Sequence, residues 1–289
     1  MRKSLKKSAR WTCLSSVFCL FLMFACAQPK PEERLGWTLS VHTYTFRSFT
    51  LDEALQKACE ANVHTVEIYR SQKINTNGEE KLIDAEDNDS LQHALSVLFR
   101  QKKIKPVAYG VIYGDTPEEW EQRFAFASAL GIETINAEPK EEFLPLVGEL
   151  ASRYKIKVGI HNHPKGTTYW HPDTVLSAIN KANSPYVGAC ADVGHWVRSG
   201  LDPVECLTKY EGHLVSLHLK DLKQKQPKTH DVPWGTGVCG IPAIVDELIR
   251  QQFRGNISIE YEHNWDDNLG EVKQSIDYFR KLLSERSKE

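Results

Sequence analysis

The feature that most constrains the fold is an alternation of eight short apolar runs, each followed by a run in which apolar residues recur at helical spacing. The strand-like runs are residues 38–46, 64–70, 105–113, 132–139, 157–163, 186–196, 214–222 and 256–263. Helix-start signals support the alternation, because Thr50 and Glu53 have capping-box spacing and Pro117 begins a run that continues with acidic residues. Eight such units are compatible with a closed parallel barrel or a long doubly wound sheet. No glycine-rich phosphate loop follows the first strand, so the dinucleotide-binding sheet has no support.

Polar residues near the ends of the strand-like runs favour the closed barrel. Successive side chains of a strand point to opposite faces, so Ser216, His218 and Lys220 share one face of an otherwise apolar run. If every run alternates in this way, the same face of the sheet also carries Ser40, His42, Tyr44, Glu67, Asn136, Glu138, His161, His163, Cys190, Asp192, Ser258, Glu260 and Glu262. An open sheet would bury this face against apolar helices at a cost of several kcal/mol. We therefore predict a single (β/α)8 TIM barrel with its site at the C-terminal ends of the strands.

The N-terminal residues predict an export signal. Five positive charges within residues 2–10 precede an apolar stretch over 11–25 that is too short for a comfortable membrane span. The sequence Met23-Phe24-Ala25-Cys26 is similar to a bacterial lipobox, in which Cys26 is lipidated, and ordinary cleavage after Ala27 is the alternative. The expected organisation is a signal peptide over 1–25, a tether over 26–37 and a barrel over 38–289. We expect a lipid-anchored protein of the cell envelope, in the periplasm or at the outer membrane.

Charge and cysteine content exclude two other classes. Loss of the signal removes five positive charges and no negative ones, so the formal net charge falls from −2 to −2 − 5 = −7. An acidic body without a basic run argues against a nucleic-acid partner, because neutralisation of phosphates supplies most of that affinity. Cys59, Cys190, Cys206 and Cys239 lack CxxC spacing, so we expect buried free thiols.

Five motifs carry a resemblance to a known family. They are IHNHP at 160–164, CADVGHW at 190–196, HLKD at 218–221, VPWGTG at 232–237 and SIEYE at 258–262. In this order they resemble the xylose isomerase-like TIM-barrel superfamily and, more closely, exported sugar isomerase/epimerase-like proteins of Bacteroides-type bacteria. The resemblance extends from Thr38 to the end of the chain, and it implies a metal-dependent enzyme that acts on a sugar.

The metal prediction rests on three successive strand ends. Asp192, His218 and Glu260 can converge on one divalent ion, Mn2+, Co2+, Zn2+ or Mg2+, and mixed imidazole and carboxylate donors suit transition metals better than Mg2+. The resemblance implies a Glu, Asp, His, Glu set from strands five to eight. Here His161 stands where relatives have the strand-five Glu, and Glu138 adds a carboxylate on strand four. Either His161 or Glu138 completes the set.

The resemblance implies chemistry beside a keto group. In related ketose 3-epimerases two carboxylates exchange a proton from opposite faces, so the histidine at 161 weakens that simple mechanism. Glu138 or His163 is then the second acid or base, Glu260 is a ligand or a ligand and base, and Lys220 holds the oxygen or protonates a leaving group. Some relatives are 3-keto-glycoside lyases, so elimination stands level with isomerisation or epimerisation.

The expected substrate is an unphosphorylated keto-sugar or 3-keto-glycoside, because sugar phosphates are largely cytoplasmic. The substrate contacts that we predict are His42, Glu67, His195, Trp196 and Trp234, and Trp170 and Trp265 are further aromatic residues of the expected top loops. Structural roles compete with these: Asp192 is a possible helix cap, and Glu67 is a partner for Arg70 or Lys157.

Two other functions share the scaffold. Endonuclease IV-like phosphodiesterases have a similar strand-six Asp-x-x-His, strand-seven His and strand-eight Glu, but they need additional histidines for three zinc ions. Here Pro233 occupies the place of one of them, and strand three offers no histidine. A non-catalytic carbohydrate-binding lipoprotein is the other alternative, and the full set of inward acids and imidazoles argues against it.

Overall fold

The computed structural model describes residues 28–76, 79–83 and 89–286. Its main sheet is a closed barrel of eight parallel strands in the order β1-β10-β9-β8-β7-β6-β5-β2. The barrel strands are β1 Thr38–His42, β2 Thr65–Ile68, β5 Lys105–Ile112, β6 Thr134–Ala137, β7 Lys157–His161, β8 Val187–Asp192, β9 Leu214–Leu219 and β10 Asn256–Ile259. The other two described strands, β3 Lys73–Thr76 and β4 Glu79–Leu82, form an antiparallel hairpin. The predicted (β/α)8 barrel is confirmed.

Helices surround the barrel. They are α1 Pro31–Arg34, α2 Leu51–Glu60, α3 Asp89–Lys102, α4 Pro117–Ala129, α5 Leu144–Tyr154, α6 Pro172–Ala182, α7 Val193–Arg198, α8 Pro203–Lys209, α9 Ile241–Arg250 and α10 Leu269–Arg286, with 3-10 turns at Thr43–Phe46 and Glu141–Phe143. The predicted start signals are used, since Thr50 caps α2 in a capping box with Glu53 and Pro117 begins α4. No described helix is both long and apolar enough to cross a membrane.

The two faces of the strands separate an apolar layer from a polar one. Outward-facing Val41, Ile135 and Val158 are fully buried beneath the helices. The inward-facing residues form a hydrogen-bonded polar layer in which Ser216 Oγ donates to Asn136 Oδ1 at 2.6 Å. This layer fills the barrel directly below the site, so the residues above it have a rigid floor.

The predicted strands were placed correctly but several were too long. β9 ends at Leu219, before Lys220, and β10 ends at Ile259, before Glu260. After Asp192 the chain turns at once into α7. The reason is the same for β8, β9 and β10. At their C-terminal ends the polar side chains belong to the site, and the backbone no longer makes the hydrogen bonds of the sheet.

The N-terminal predictions are only partly within the described residues. The predicted signal peptide and Cys26 lie outside them. Part of the expected tether is folded: Glu32 of α1 is buried and accepts from Arg280 Nε and Nη2 at 3.0 and 2.9 Å. Trp37 is buried and donates to the Phe253 carbonyl at 2.8 Å. The described part of the predicted tether therefore contacts the barrel, because these side chains find partners near the C-terminal end of the barrel sequence.

The described cysteines carry free thiols. Cys190, Cys206 and Cys239 are buried, and Cys59 is half-buried. The expectation of free thiols is confirmed for these four, although Cys59 is less buried than predicted.

Candidate active site

The four predicted metal ligands meet at the mouth of the barrel. His161 ends β7, Asp192 ends β8, His218 lies in β9 and Glu260 directly follows β10. All four are buried, and one potential ligand atom from each lies within 4.8 Å of the others. The strand register explains this, since Asp192 pairs with His218 across β8 and β9.

One atom of each of these side chains has no hydrogen-bond partner. The atoms are His161 Nε2, Asp192 Oδ2, His218 Nδ1 and Glu260 Oε2. Some lie close together, such as His218 Nδ1 and Glu260 Oε2 at 3.1 Å, but not at hydrogen-bonding angles. Asp192 Oδ2 and Glu260 Oε2 have the Lys220 ammonium as an ion-pair partner, whereas the two imidazole nitrogens make no hydrogen bond, and a buried polar group without a hydrogen bond costs about 1–3 kcal/mol. Two imidazoles and two carboxylates are donors that fit a divalent transition metal.

Each of the two histidines is held from behind by a carboxylate. His218 Nε2 lies 2.9 Å from Glu67 Oε1, and His161 Nδ1 lies 3.0 Å from Glu138 Oε1. Metal-binding histidines are commonly oriented by such a carboxylate. The arrangement leaves His161 Nε2 and His218 Nδ1 facing the cluster, and it favours His161 as the fourth ligand with Glu138 as its support.

The two carboxylates are also fixed by one oxygen each. Glu260 Oε1 lies 2.9 Å from His42 Nδ1. Asp192 Oδ1 accepts from the His195 backbone N–H at 2.8 Å, as the N-cap of α7. The two interpretations of Asp192 are therefore compatible, because the cap uses Oδ1 and leaves Oδ2 for the cluster.

Lys220 is the cation inside this group. It is fully buried, and its Nζ lies 3.0 Å from Asp192 Oδ2, 2.8 Å from Glu260 Oε2 and 3.2 Å from Glu262 Oε1. Burial alone would lower the pKa of Lys220, but these carboxylates outweigh it and raise the pKa well above its usual value. Lys220 is therefore an ammonium that shares oxygens with the candidate metal site.

The electrostatics of the cluster keep its carboxylates ionised. Burial would raise the pKa of Glu67, but His218 and His42 outweigh it and lower the pKa to about 2. Burial acts in the same direction on Glu260, yet Lys220 and the imidazoles hold its pKa well below the usual range. Burial would lower the pKa of His161 and of His218, but the neighbouring carboxylates outweigh it and raise both, so without a bound metal the carboxylates are balanced by these imidazolium groups and by the Lys220 ammonium.

A second pair lies at the outer edge. Glu138 Oε1 contacts Nδ1 of His163 as well as Nδ1 of His161. Burial would raise the pKa of Glu138, but the two imidazoles outweigh burial and lower the pKa to about 2. The side chain of His163 is 31% exposed and that of Glu138 is 10% exposed. Since Nδ1 of His163 faces Glu138, its Nε2 is the nitrogen available to a ligand.

The polar residues predicted to contact substrate are placed behind the site instead. His42 is buried, and its Nε2 is engaged by the Gly110 carbonyl at 2.9 Å while Nδ1 meets Glu260. Glu67 is fully buried beneath His218, and its carboxylate contacts His218. We predicted Arg70 or a substrate as the partner of this carboxylate. The structure places both side chains behind the cluster, because alternation predicts the face of a strand and not the depth along the barrel axis.

Three other residues predicted to contact substrate have neighbours within the protein. Trp196 is fully buried with its ring 5.4 Å from that of Tyr210, and Trp234 is buried with its ring 5.3 Å from that of Phe279. Their faces are used in packing and cannot stack on a sugar. His195 is buried, with Nε2 3.6 Å from Asp192 Oδ2, and its contact is with the cluster.

Aromatic residues occupy the other side of the mouth, and two of them, Tyr69 and Tyr113, were not selected from the sequence. Tyr44 follows β1, Tyr69 follows β2 and Tyr113 follows β5, and Trp265 lies beyond β10. The Tyr44 ring is 4.8 Å from that of Tyr69 and 5.4 Å from that of Trp265. The sequence signal that could have identified Tyr69 and Tyr113 is their position, since each comes within two residues after the end of a strand.

A closed (β/α)8 barrel with a buried cluster of histidines and carboxylates at the C-terminal ends of its strands defines the class of protein. The chain belongs to the family described as xylose isomerase-like TIM barrel, whose profile matches residues 115–282. The family suggested by the sequence motifs is thereby confirmed.

Known relatives agree with this assignment. Inosose dehydratase 1 of Bacillus cereus (strain ZK / E33L) is 26% identical over 134 residues, which are 41% of this chain and 44% of that protein. The chain thus spans less than half the length of this curated relative. An uncharacterised protein from Parabacteroides distasonis ATCC 8503 is 34% identical, with a TM-score of 0.68 over 85% of this chain and 99% of that one.

One solved structure of the same fold contains a metal. The IOLI protein with a bound zinc atom has a TM-score of 0.71 at 16% identity, over 86% of this chain and 98% of that chain. At this identity the likeness concerns the fold alone.

Proposed function

We propose that the protein is a metal-dependent lyase that eliminates water or an alcohol beside the keto group of an unphosphorylated sugar. The observation that carries the proposal is the convergence of four buried side chains, His161, Asp192, His218 and Glu260, whose potential ligand atoms lie within 4.8 Å of one another. The zinc atom of the IOLI structure and the name of the inosose dehydratases support it. Loss of water and loss of an alcohol from a keto-glycoside are the same elimination with different leaving groups.

His161, Asp192, His218 and Glu260 would hold the divalent metal, which would supply polarisation of a carbonyl oxygen and so acidify the neighbouring C–H. Lys220 lies beside the same carboxylates and offers an ammonium to the developing negative oxygen.

His163 is the proposed acid and base. Its side chain is 31% exposed, and the contact of Nδ1 with Glu138 orients the ring so that Nε2 is available to a ligand. His163 takes the proton from the carbon next to the ketone at Nε2. It then returns that proton to the departing oxygen as the carbon–oxygen bond breaks, which gives an unsaturated ketone and water or an alcohol. Glu260 is a poorer base, because its pKa is held low and both its oxygens have close neighbours.

The charge of the site supports a neutral substrate. Glu138, Asp192, Glu260 and Glu262 line the mouth, and Arg198 is already paired with Glu262 at 2.9 Å. A phosphate would meet these carboxylates at close range. Export through the predicted signal, and anchoring through Cys26, are part of this proposal. Incorporation of a labelled fatty acid in the native host tests the anchor, and an unlabelled, soluble mature protein would contradict it.

The test combines metal analysis with product identification. The purified protein is analysed for bound metal and then incubated with 3-keto-glycosides, inososes and free ketoses. We expect stoichiometric metal and an unsaturated ketone, seen by its ultraviolet absorbance. Epimers without unsaturated product would instead support a 3-epimerase, and a protein that binds no divalent metal would refute both.

Two variants locate the chemistry. Glu260→Gln should abolish turnover with the fold intact, and His163→Asn should lower kcat by about 10²–10⁴-fold with metal content unchanged. His93→Asn, an exposed histidine of α3, is the control and should leave the rate unchanged. Normal turnover by His163→Asn would remove His163 from the mechanism.

A further inference from the structure

The mouth of the barrel has two chemically different halves. The candidate ligands come from β7, β8, β9 and the residue after β10, which leaves the opposite half without them. That half is formed by Tyr44, Tyr69, Tyr113 and Trp265, which we call the aromatic wall. A group bound at the cluster has this wall as its neighbour, because the Tyr44 ring is 6.1 Å from that of His42 and the His42 ring is 5.0 Å from that of His218.

The wall is fixed in place by polar contacts. Arg47 lies 3.8 Å from the centre of the Trp265 ring and donates to the Tyr44 hydroxyl at 2.5 Å. The Tyr113 carbonyl accepts from Arg123 Nε at 2.7 Å, which fixes the backbone where the chain leaves β5. A surface held in this way loses little conformational entropy when a ligand binds.

Tyr113 is the part of the wall that is open to a ligand. Its side chain is 42% exposed, and in the described part of the chain only it and Leu82 are large hydrophobic residues with such exposure. It comes one residue after β5, so it lies at the same C-terminal rim of the barrel as Tyr44 and Tyr69, which follow the next strands around the barrel, β1 and β2. An aromatic ring exposed at this rim is available to a ligand.

We propose that the aromatic wall binds the C–H face of a neutral six-membered ring, so that the substrate is a cyclic polyhydroxy ketone and not an open-chain ketose, with Tyr113 as the specificity-determining residue. The inference rests on the proposed function, because it assumes that the keto group lies at the metal cluster. A pyranose or cyclitol ring presents a flat patch of C–H groups that stacks on an aromatic face. An open-chain sugar presents no such patch.

Binding of unreactive ligands tests the inference without turnover. myo-Inositol and methyl β-glucoside represent rings, and sorbitol represents an open chain of similar size and polarity. Affinities for the zinc-loaded protein are measured by ligand-observed NMR titration. We expect the rings to bind at least about tenfold more tightly than sorbitol, the factor that one good aromatic contact supplies.

Variants assign the preference to the wall. Tyr113→Ala should reduce ring affinity to the level of sorbitol, and Tyr113→Phe should retain it, because stacking needs the ring and not the hydroxyl. Tyr186→Ala is the control, since Tyr186 precedes β8 at the opposite end of the barrel. Zinc affinity and the unfolding midpoint should match the wild type in all three.

The outcomes separate this inference from the proposed function. Equal binding of sorbitol and rings, binding of neither, or unchanged ring affinity in Tyr113→Ala overturns the inference. Ring preference without turnover of any keto-sugar supports the inference and refutes the lyase. Turnover of free ketoses but not of cyclic ketones refutes the inference and leaves metal-dependent sugar chemistry in place.

Discussion

Replacement of Glu67 by glutamine tests whether the floor of the barrel supports the metal site. The Glu67 carboxylate accepts from Asn136 Nδ2 at 2.8 Å and Ser258 Oγ at 2.5 Å, and it faces His218 Nε2 at 2.9 Å. Glutamine has the same shape, so the cavity stays filled. The charge is lost, however, and one oxygen acceptor becomes an NH2 group that faces donors.

The structure gives the size of the effect. Interaction with the imidazoles outweighs burial and lowers the pKa of Glu67 from 4.5 to about 2. At 1.36 kcal/mol per pKa unit, the difference between 4.5 and about 2 corresponds to about 3 kcal/mol in favour of the charged form. Glu67 is fully buried, so solvent does not screen this interaction. Because the folded pKa is depressed, this stability is present above about pH 4.5 and is lost as the pH falls towards 2. Loss of the carboxylate behind His218 should also weaken metal binding about 10–100-fold.

Two measurements at pH 7 check these values. Urea unfolding of metal-free protein gives the change in the free energy of unfolding, and competition with a chelator gives the zinc affinity. Glu247→Gln is the matched control, because the hydrogen bond from Arg250 also lowers the pKa of Glu247 to about 2, but Glu247 lies on α9. It should leave zinc affinity unchanged. Wild-type zinc affinity in Glu67→Gln would refute the supporting role of Glu67.

Two further predictions concern stability. Gly159→Ala should lower the free energy of unfolding by about 1–3 kcal/mol in urea, because a Cβ there would lie 2.6 Å from Asn136 Oδ1 and 2.8 Å from Cys190 Cβ; unchanged stability would show that the polar layer can move. The depressed pKa of Glu247 contributes stability that is present above about pH 4.5 and lost as the pH falls towards 2. Relative to wild type, Glu247→Gln should therefore lose less stability between those pH values, and parallel pH profiles would contradict this.

The strands were predictable because apolar alternation and helix-start signals are local. Their inward faces followed from the same alternation, and this brought His161, Asp192, His218 and Glu260 to one predicted location. What a residue does there depends on its height along the barrel axis. Glu67 and Glu260 both face inward, yet one lies beneath His218 and the other at the cluster.

The errors have a different physical origin. Trp196 follows a strand end that faces the site, but α7 begins immediately after Asp192 and turns the ring into the core. Nothing local in the sequence specifies that direction, because it is set by the packing of Trp196 against Tyr210, which is distant in the chain. Tyr113 was missed for the converse reason. An isolated tyrosine after a strand has no periodic signal, and only the assembled barrel places it at the same rim as Tyr44 and Tyr69.

The replacement of a strand-five carboxylate by His161 conserves the charge of the site while it changes the donors. With a Glu at this position, as the resemblance implies for relatives, the metal would be bound by three carboxylates and one imidazole. In this chain the third carboxylate is that of Glu138, which lies behind His161, 3.0 Å from its Nδ1. The number of negative charges is therefore the same, but the metal would meet two imidazoles, which favours zinc, cobalt or manganese over magnesium. Because Glu138 also contacts His163, the displaced carboxylate serves a second residue at the exposed edge. A histidine at position 161 with a carboxylate at Glu138 thus gives the proposed metal site a softer set of ligands, and it places that carboxylate against His163, the proposed acid and base.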